Sequence, residues 1–199
     1  YTMEVTMAAP PNDRCEEARI IPLDGSTNGT YRVSDSTTGY VNDIDSGCPG
    51  GAGPDAAFRL DLVEWTNLSA NTFGSSFDTV LHLREGDCFG PELACNDDTP
   101  GQGTQSSFAV EFLPPGTYFL WVDGYSSSNQ GNYELEVTVE VPENDRCDQA
   151  FEIPLTGPSN ESFQYSGTTM GYVNDIDNNC AAGGGPDAVF RLELTEYAD

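Results

Sequence analysis

Carboxylates crowd two short stretches of the chain. The segment VNDID at 41–45 supplies Asn42, Asp43 and Asp45, and a following Gly-Pro-Asp ends at Asp55. The segment CNDD at 95–98 supplies Asn96, Asp97 and Asp98. Calcium takes about six to eight oxygen ligands, mainly carboxylates and carbonyls carried on loops. Both stretches offer that donor set, and Asp123, at the end of an apolar run, can join either. Asn174, Asp175, Asp177 and Asp187 repeat the first set further along. Neither stretch follows the twelve-residue EF-hand spacing. The competing reading is a pair of solvated turns, where Asp and Asn are favoured by local hydrogen bonding. The expectation is at least one calcium site per repeat.

Other chemistry is poorly supplied. The chain has no lysine and a single histidine, His82. In DTVLHLRE, Leu81 and Leu83 take the inward side of a strand, and His82 points outward with Val80 and Arg84. The expectation is a surface or sheet-face histidine rather than a general base. GGAGPD and GGGPD lack the Lys-Ser/Thr of a phosphate-binding loop. No catalytic residue is expected. Trp65, Trp121 and Tyr125 suggest a sugar-stacking platform, although Trp121 belongs to a strand whose residues should pack.

Cysteines occur at 15, 48, 88, 95, 147 and 180. No C-x2-C spacing is present, which weighs against a zinc site. Disulfides are expected, and with them an oxidising, extracellular or cell-surface location. Cys147 and Cys180 repeat Cys15 and Cys48 at a constant offset, which favours pairing Cys15–Cys48, Cys88–Cys95 and Cys147–Cys180. Asn28, Asn67 and Asn160 stand in N-x-S/T sequons, possible glycan acceptors.

The offset runs through much of the chain. PNDRC at 11–15 returns as ENDRC at 143–147, GYVNDID at 39–45 returns at 171–177, and GPDAAFRLDL at 53–62 returns as GPDAVFRLEL at 185–194. Residues 1–67 and 133–199 share 35 identities in 67 positions without a gap, at a spacing of 132. That period exceeds a solenoid unit of roughly 20–50 residues and suits a whole domain. Residues 1–8 read as the last strand of a preceding repeat, 9–141 as a complete domain, and 142–199 as the front half of the next. Half a sandwich leaves a hydrophobic face uncovered. The expectation is a window on a longer tandem array, or completion by another chain.

Period-two alternation supplies the elements. Tyr133, Leu135, Val137 and Val139 fall on one side of a strand, with Glu134, Glu136 and Thr138 on the other. Ala56, Phe58, Leu60 and Leu62 alternate likewise, and Phe108, Val110 and Phe112 form another row. YFLWV at 118–122 is apolar on both sides, as in a central strand. Shorter strands are expected near 19–23, 30–34 and 77–84. No segment shows a helical period. The fold class is all-β: an antiparallel β-sandwich of about eight strands, jelly-roll-like, in tandem. The net charge of −26 repels nucleic acid and anionic membrane. No apolar run reaches the roughly 18–20 residues of a membrane helix.

DTVL at 78–81, CNDD at 95–98, PGTYFLWVDG at 115–124 and GNYELEV at 131–137 together resemble the bacterial pre-peptidase C-terminal (PPC) domain. The resemblance implies a secreted β-sandwich, often calcium-associated, that accompanies extracellular enzymes and adhesins and is not itself catalytic. The expected role is a structural repeat module of a stalk, fibre or filament, with neighbouring repeats or subunits as partners. The alternative is a carbohydrate- or protein-binding module of a secreted hydrolase or adhesin, with surface polysaccharide as ligand.

Overall fold

The computed structural model describes residues 2, 11–155, 162–172, 174 and 185–194. Nine strands build a sandwich: β1 (Arg19–Ile20), β2 (Gly29–Ser36), β3 (Ala56–Leu62), β4 (Thr66–Asn71), β5 (Thr79–Glu85), β6 (Glu92–Asn96), β7 (Ser107–Leu113), β8 (Gly116–Gly124) and β9 (Asn132–Glu140). One sheet has the order β1-β3-β8-β5-β6, the other β2-β9-β4-β7. All pairings are antiparallel except β1 with β3, which run parallel. Among the described residues there is no α-helix, only the 3-10 turns Cys15–Glu17 and Cys147–Gln149.

Alternation decides what goes inside. Phe58, Leu60 and Leu62 of β3, Leu81 and Leu83 of β5, and Tyr118, Leu120 and Val122 of β8 face Leu68, Ala70, Tyr133, Leu135, Val137 and Val139 of the second sheet. At roughly 25 cal/mol per Å² of apolar area removed from water, this layer is the main favourable term of the fold.

The five-stranded sheet is dry on its other face too. There Ala57, Phe119 and Trp121 pack with Ile44 and Cys88, while Cys15 and Ala18 lie against them. The cover is made by residues 11–18 and the long 37–55 connection. The second sheet instead turns charged residues outward, with Arg32 paired to Glu136. This explains why YFLWV is apolar on both sides: β8 is the middle strand of a sheet covered twice. Among the described residues both clusters draw on Cys15 to Val139.

Two disulfides staple the cover down, Cys15–Cys88 and Cys48–Cys95. The pairing expected from repeat logic, Cys15–Cys48 with Cys88–Cys95, is therefore wrong. The topology explains why. Cys95 pairs in register with His82 and points to the same outer face, beneath the 42–55 loop that carries Cys48. Cys88 sits in the β5–β6 turn, against the 3-10 turn that carries Cys15. Each bridge joins the front of the repeat to its back. Cys147 is a free, exposed thiol; Cys180 lies outside the described residues, as do 1 and 3–10.

At three points the second copy repeats the geometry of the first. β10 (Phe151–Ile153) runs parallel to β11 (Phe190–Leu192), with Phe151 opposite Phe190 as Arg19 is opposite Phe58. Val189 N–H donates to Asn144 O at 2.7 Å, as Ala57 N–H does to Asn12 O at 2.8 Å. Asn12 and Asn144 share a left-handed backbone, at φ 55° and 68°.

Candidate functional site

The outer face of the five-stranded sheet carries the acidic residues. Ala56 pairs with Val122, so the next step of the register sets Asp55 across from Asp123. Both side chains then leave the sheet on the covered side, beside Ala57 and Trp121. Directly opposed residues of neighbouring strands lie close enough to couple strongly. Asp55 and Asp123 are each 0% exposed.

Their partners are unequal. Asp55 Oδ2 accepts the backbone N–H of Asp43 at 2.9 Å and of Ile44 at 3.2 Å, and so holds the loop. Asp55 Oδ1 and both carboxylate oxygens of Asp123 are buried with no hydrogen-bond partner. Burial drives the Asp55 carboxyl up to about 7, against the pull of its two amide donors. Burial, then the neighbouring Asp55 charge, raises Asp123 to about 9. The Gly53 amide near Asp123 is spent on Gly124 O at 2.9 Å. An isolated buried carboxylate is among the costliest groups a protein can hold, so this pair needs protons or a cation.

The other predicted donors distribute as follows. Asn42 and Asp45 are exposed on the same loop, and Asn42 Nδ2 donates to Asp45 Oδ1 at 3.1 Å. Asp43 is exposed, and its backbone serves Asp55. Asn96 is committed to structure: its Oδ1 accepts from Thr99 Oγ1 at 3.1 Å and from Ser107 N–H at 3.0 Å. Asp97 and Asp98 gather with Asp78, whose ligand atoms all lie within 4.8 Å of one another. Burial raises both Asp78 and Asp97, and the Asp98 charge adds to it. Asp123 thus belongs with Asp55. Asp175, Asp177 and Asn160 lie outside the described residues. Asn174 and Asp187 are described, but the residues expected beside them are not.

Sequence reasoning missed Asp78. Its signal was present, an Asp just before a strand whose outer residues run beside β6, but nothing local links it to Asp97. Also missed was the clamp under the loop. Arg84 donates to Gly90 O, Asp45 O and Glu92 Oε2, and Glu92 in turn accepts Gly47 N–H.

His82 leaves the sheet outward as expected, yet it is buried rather than exposed to solvent. It stacks on Trp121 with centroids 6.2 Å apart and planes 5° apart. Burial, with Arg84 nearby, lowers its pKa to about 3, so the ring is neutral. The Glu92 Oε2 atom at 3.6 Å is too far for a hydrogen bond. Neither ring nitrogen has a partner, and no nucleophile is aligned with it. The aromatic platform is not assembled either, because Trp121 is interior. Of the sequons, Asn28 Oδ1 accepts Val141 N–H at 2.8 Å and Asn67 Oδ1 accepts Phe112 N–H at 3.0 Å.

A doubly covered β-sandwich with an acidic outer face defines the class of this module. No family model matches the chain, and no curated protein matches it. Among solved structures it is similar to the pre-peptidase C-terminal domain of a Bacillus anthracis collagenase, at 17% identity and a TM-score of 0.39, covering 66% of this chain and 99% of that one. It is also similar to a periplasmic inhibitor of g-type lysozyme from Aeromonas hydrophila, at 12% identity and a TM-score of 0.40, covering 62% and 96%. A third is CsCBM6-3 from Clostridium stercorarium in complex with cellobiose, at 14% identity and a TM-score of 0.32, covering 63% and 98%.

Proposed function

We propose that the chain is a non-catalytic structural module of an extracellular protein, a spacer or stalk unit whose covering layer is locked by calcium as well as by disulfides. The observation that carries the calcium reading is the Asp55–Asp123 pair. Three of its four carboxylate oxygens are fully buried without a partner, beneath a loop pinned by Cys48–Cys95. Hard oxygen donors on a loop are what calcium takes. Asp55 and Asp123 would hold the ion, with the 42–55 loop adding carboxylate charge and carbonyls. Calcium would neutralise the pair and tie the loop to the sheet. The Asp78, Asp97 and Asp98 group is a second, more exposed candidate. The disulfides suit an oxidising compartment. The neutral, buried His82 supports a non-catalytic reading.

Melting curves in chelator and in excess calcium test this. With calcium at about a hundred times its Kd, the expected gain is about 2.7 kcal/mol, several degrees in Tm. Asp123→Asn should abolish the shift while raising the metal-free Tm by a few degrees at neutral pH, because it removes the cost of keeping a buried carboxyl protonated. An unchanged Tm on adding calcium to the wild-type protein would exclude the metal.

A further inference from the structure

One joint between repeats is visible within the chain. Arg146 donates from Nη1 to Ser26 O at 2.6 Å and from Nη2 to Glu64 Oε1 at 2.8 Å, reaching from the second copy onto the first. Gly171 of the second copy lies against the ring of Phe112: a Cβ there would stand 2.7 Å from Phe112 Cδ1. Gly171 has φ +79°, so both its backbone and the ring demand glycine. The connection between the copies is packed as well, with Val141 buried and its N–H on Asn28.

The first copy presents the same two features, and among the described residues neither makes the contact its equivalent makes. Arg14 corresponds to Arg146 and Gly39 to Gly171, both at the offset of 132. Gly39 has φ +87° and, among the described residues, no heavy atom within 4 Å of its Cβ position, so the space a Phe112 ring fills above Gly171 is not filled by them here. Arg14 is exposed. Arg19, Arg32, Arg59, Arg84, Arg146 and Arg191 all make ion pairs, so among the described residues Arg14 is the one of seven arginines that makes none. Its charge reaches Asp43 of the same module only at longer range, and in a chain of net charge −26 an exposed guanidinium with no close ion pair points to an acidic partner.

We infer that the Arg14–Gly39 face docks a second copy of this module through that copy's Ser26 carbonyl, Glu64 and Phe112. The contact is heterologous, one end on the opposite end, so it propagates in one direction instead of closing a dimer. This rests on the structural-module reading and names its partner; it does not depend on calcium. In the 199-residue chain the Glu64–Phe112 end is occupied by Arg146 and Gly171, whereas in the 11–141 piece, which spans both hydrophobic clusters, both ends are free.

The test is sedimentation of the 11–141 piece up to about 1 mM, the effective concentration that a short linker provides between tethered modules. It should associate head to tail, in chelator as in calcium. Arg14→Glu and Glu64→Arg should each weaken association at least tenfold, and mixing these two variants should restore pairing through one swapped contact. Phe112→Asn, which tolerates the left-handed backbone, should weaken it without changing the near-ultraviolet spectrum of Trp121. The 199-residue chain should bind at one end only and cap the polymer. A piece that stays monomeric at 1 mM, or associates regardless of Arg14 and Glu64, overturns the inference. A missing calcium shift alongside normal association would instead remove only the metal.

Discussion

A buried acid pair and a buried base sit on the outer face of one sheet, and their titrations oppose each other. Asp55 and Asp123 titrate at about 7 and about 9 in the fold, against an ordinary 3.8. The folded state then holds protons that the unfolded chain releases, so stability is full below about pH 4 and is lost as pH rises toward 9. His82 is lowered from 6.5 to about 3. Its contribution is intact above 6.5 and is lost as pH falls toward 3. Metal-free protein should therefore melt highest near pH 4, where the two limbs meet, because above it the two carboxyls together outweigh the one histidine. Melts across pH in chelator check this. Calcium should flatten the alkaline limb, Asp123→Asn should remove the Asp123 share of it and leave the Asp55 share that ends near pH 7, and His82→Phe should flatten the acid limb. The carboxylates were legible because Asp and Asn cluster in the sequence. Their burial was not, because it comes from a loop folding across strands that are distant in sequence. His82 shows the same gap: alternation gave its side of the sheet, but only the 37–55 connection makes that side dry.

At the level of elements, strands with strong apolar alternation could be read directly, β3, β8 and β9 above all. β4 (TNLSAN) and β6 (ELACN) were hidden because half their residues are polar and short, and their pairing is set by neighbours. Repeat logic misdirected the cysteines: the offset that relates Cys15 and Cys48 to Cys147 and Cys180 left Cys88 with Cys95, whereas β6 is an edge strand that meets the covering loop and brings Cys95 to Cys48. A non-reducing peptide map should find Cys15–Cys88 and Cys48–Cys95. Replacing Cys48 and Cys95 together by alanine should cost about 2–4 kcal/mol and loosen the calcium loop, read as a lower Tm and weaker calcium binding. If Cys15–Cys48 is found instead, the covering layer is built differently from the one described.

For the whole molecule, a charge of −26 sets the background for every contact. Self-repulsion opposes the compact state and falls off once the Debye length reaches about 10 Å, near 0.1 M salt. Tm should therefore rise between about 10 mM and 150 mM sodium chloride. Calcium should act at ionic strengths too low for screening to explain. A Tm that is indifferent to salt would mean that the charges are already compensated within the fold.

The bridges also impose a timetable on synthesis. Cys15 waits 73 residues for Cys88, and Cys48 waits 47 for Cys95. Chains grow from the N-terminus, so both early thiols are made before either partner exists. The tempting early bond, Cys15 to Cys48, would be a trap that thiol exchange must undo before the outer face can close. A polypeptide made of such modules would carry open thiols at its growing end throughout export, and its yield would depend on the isomerase capacity of the compartment that receives it.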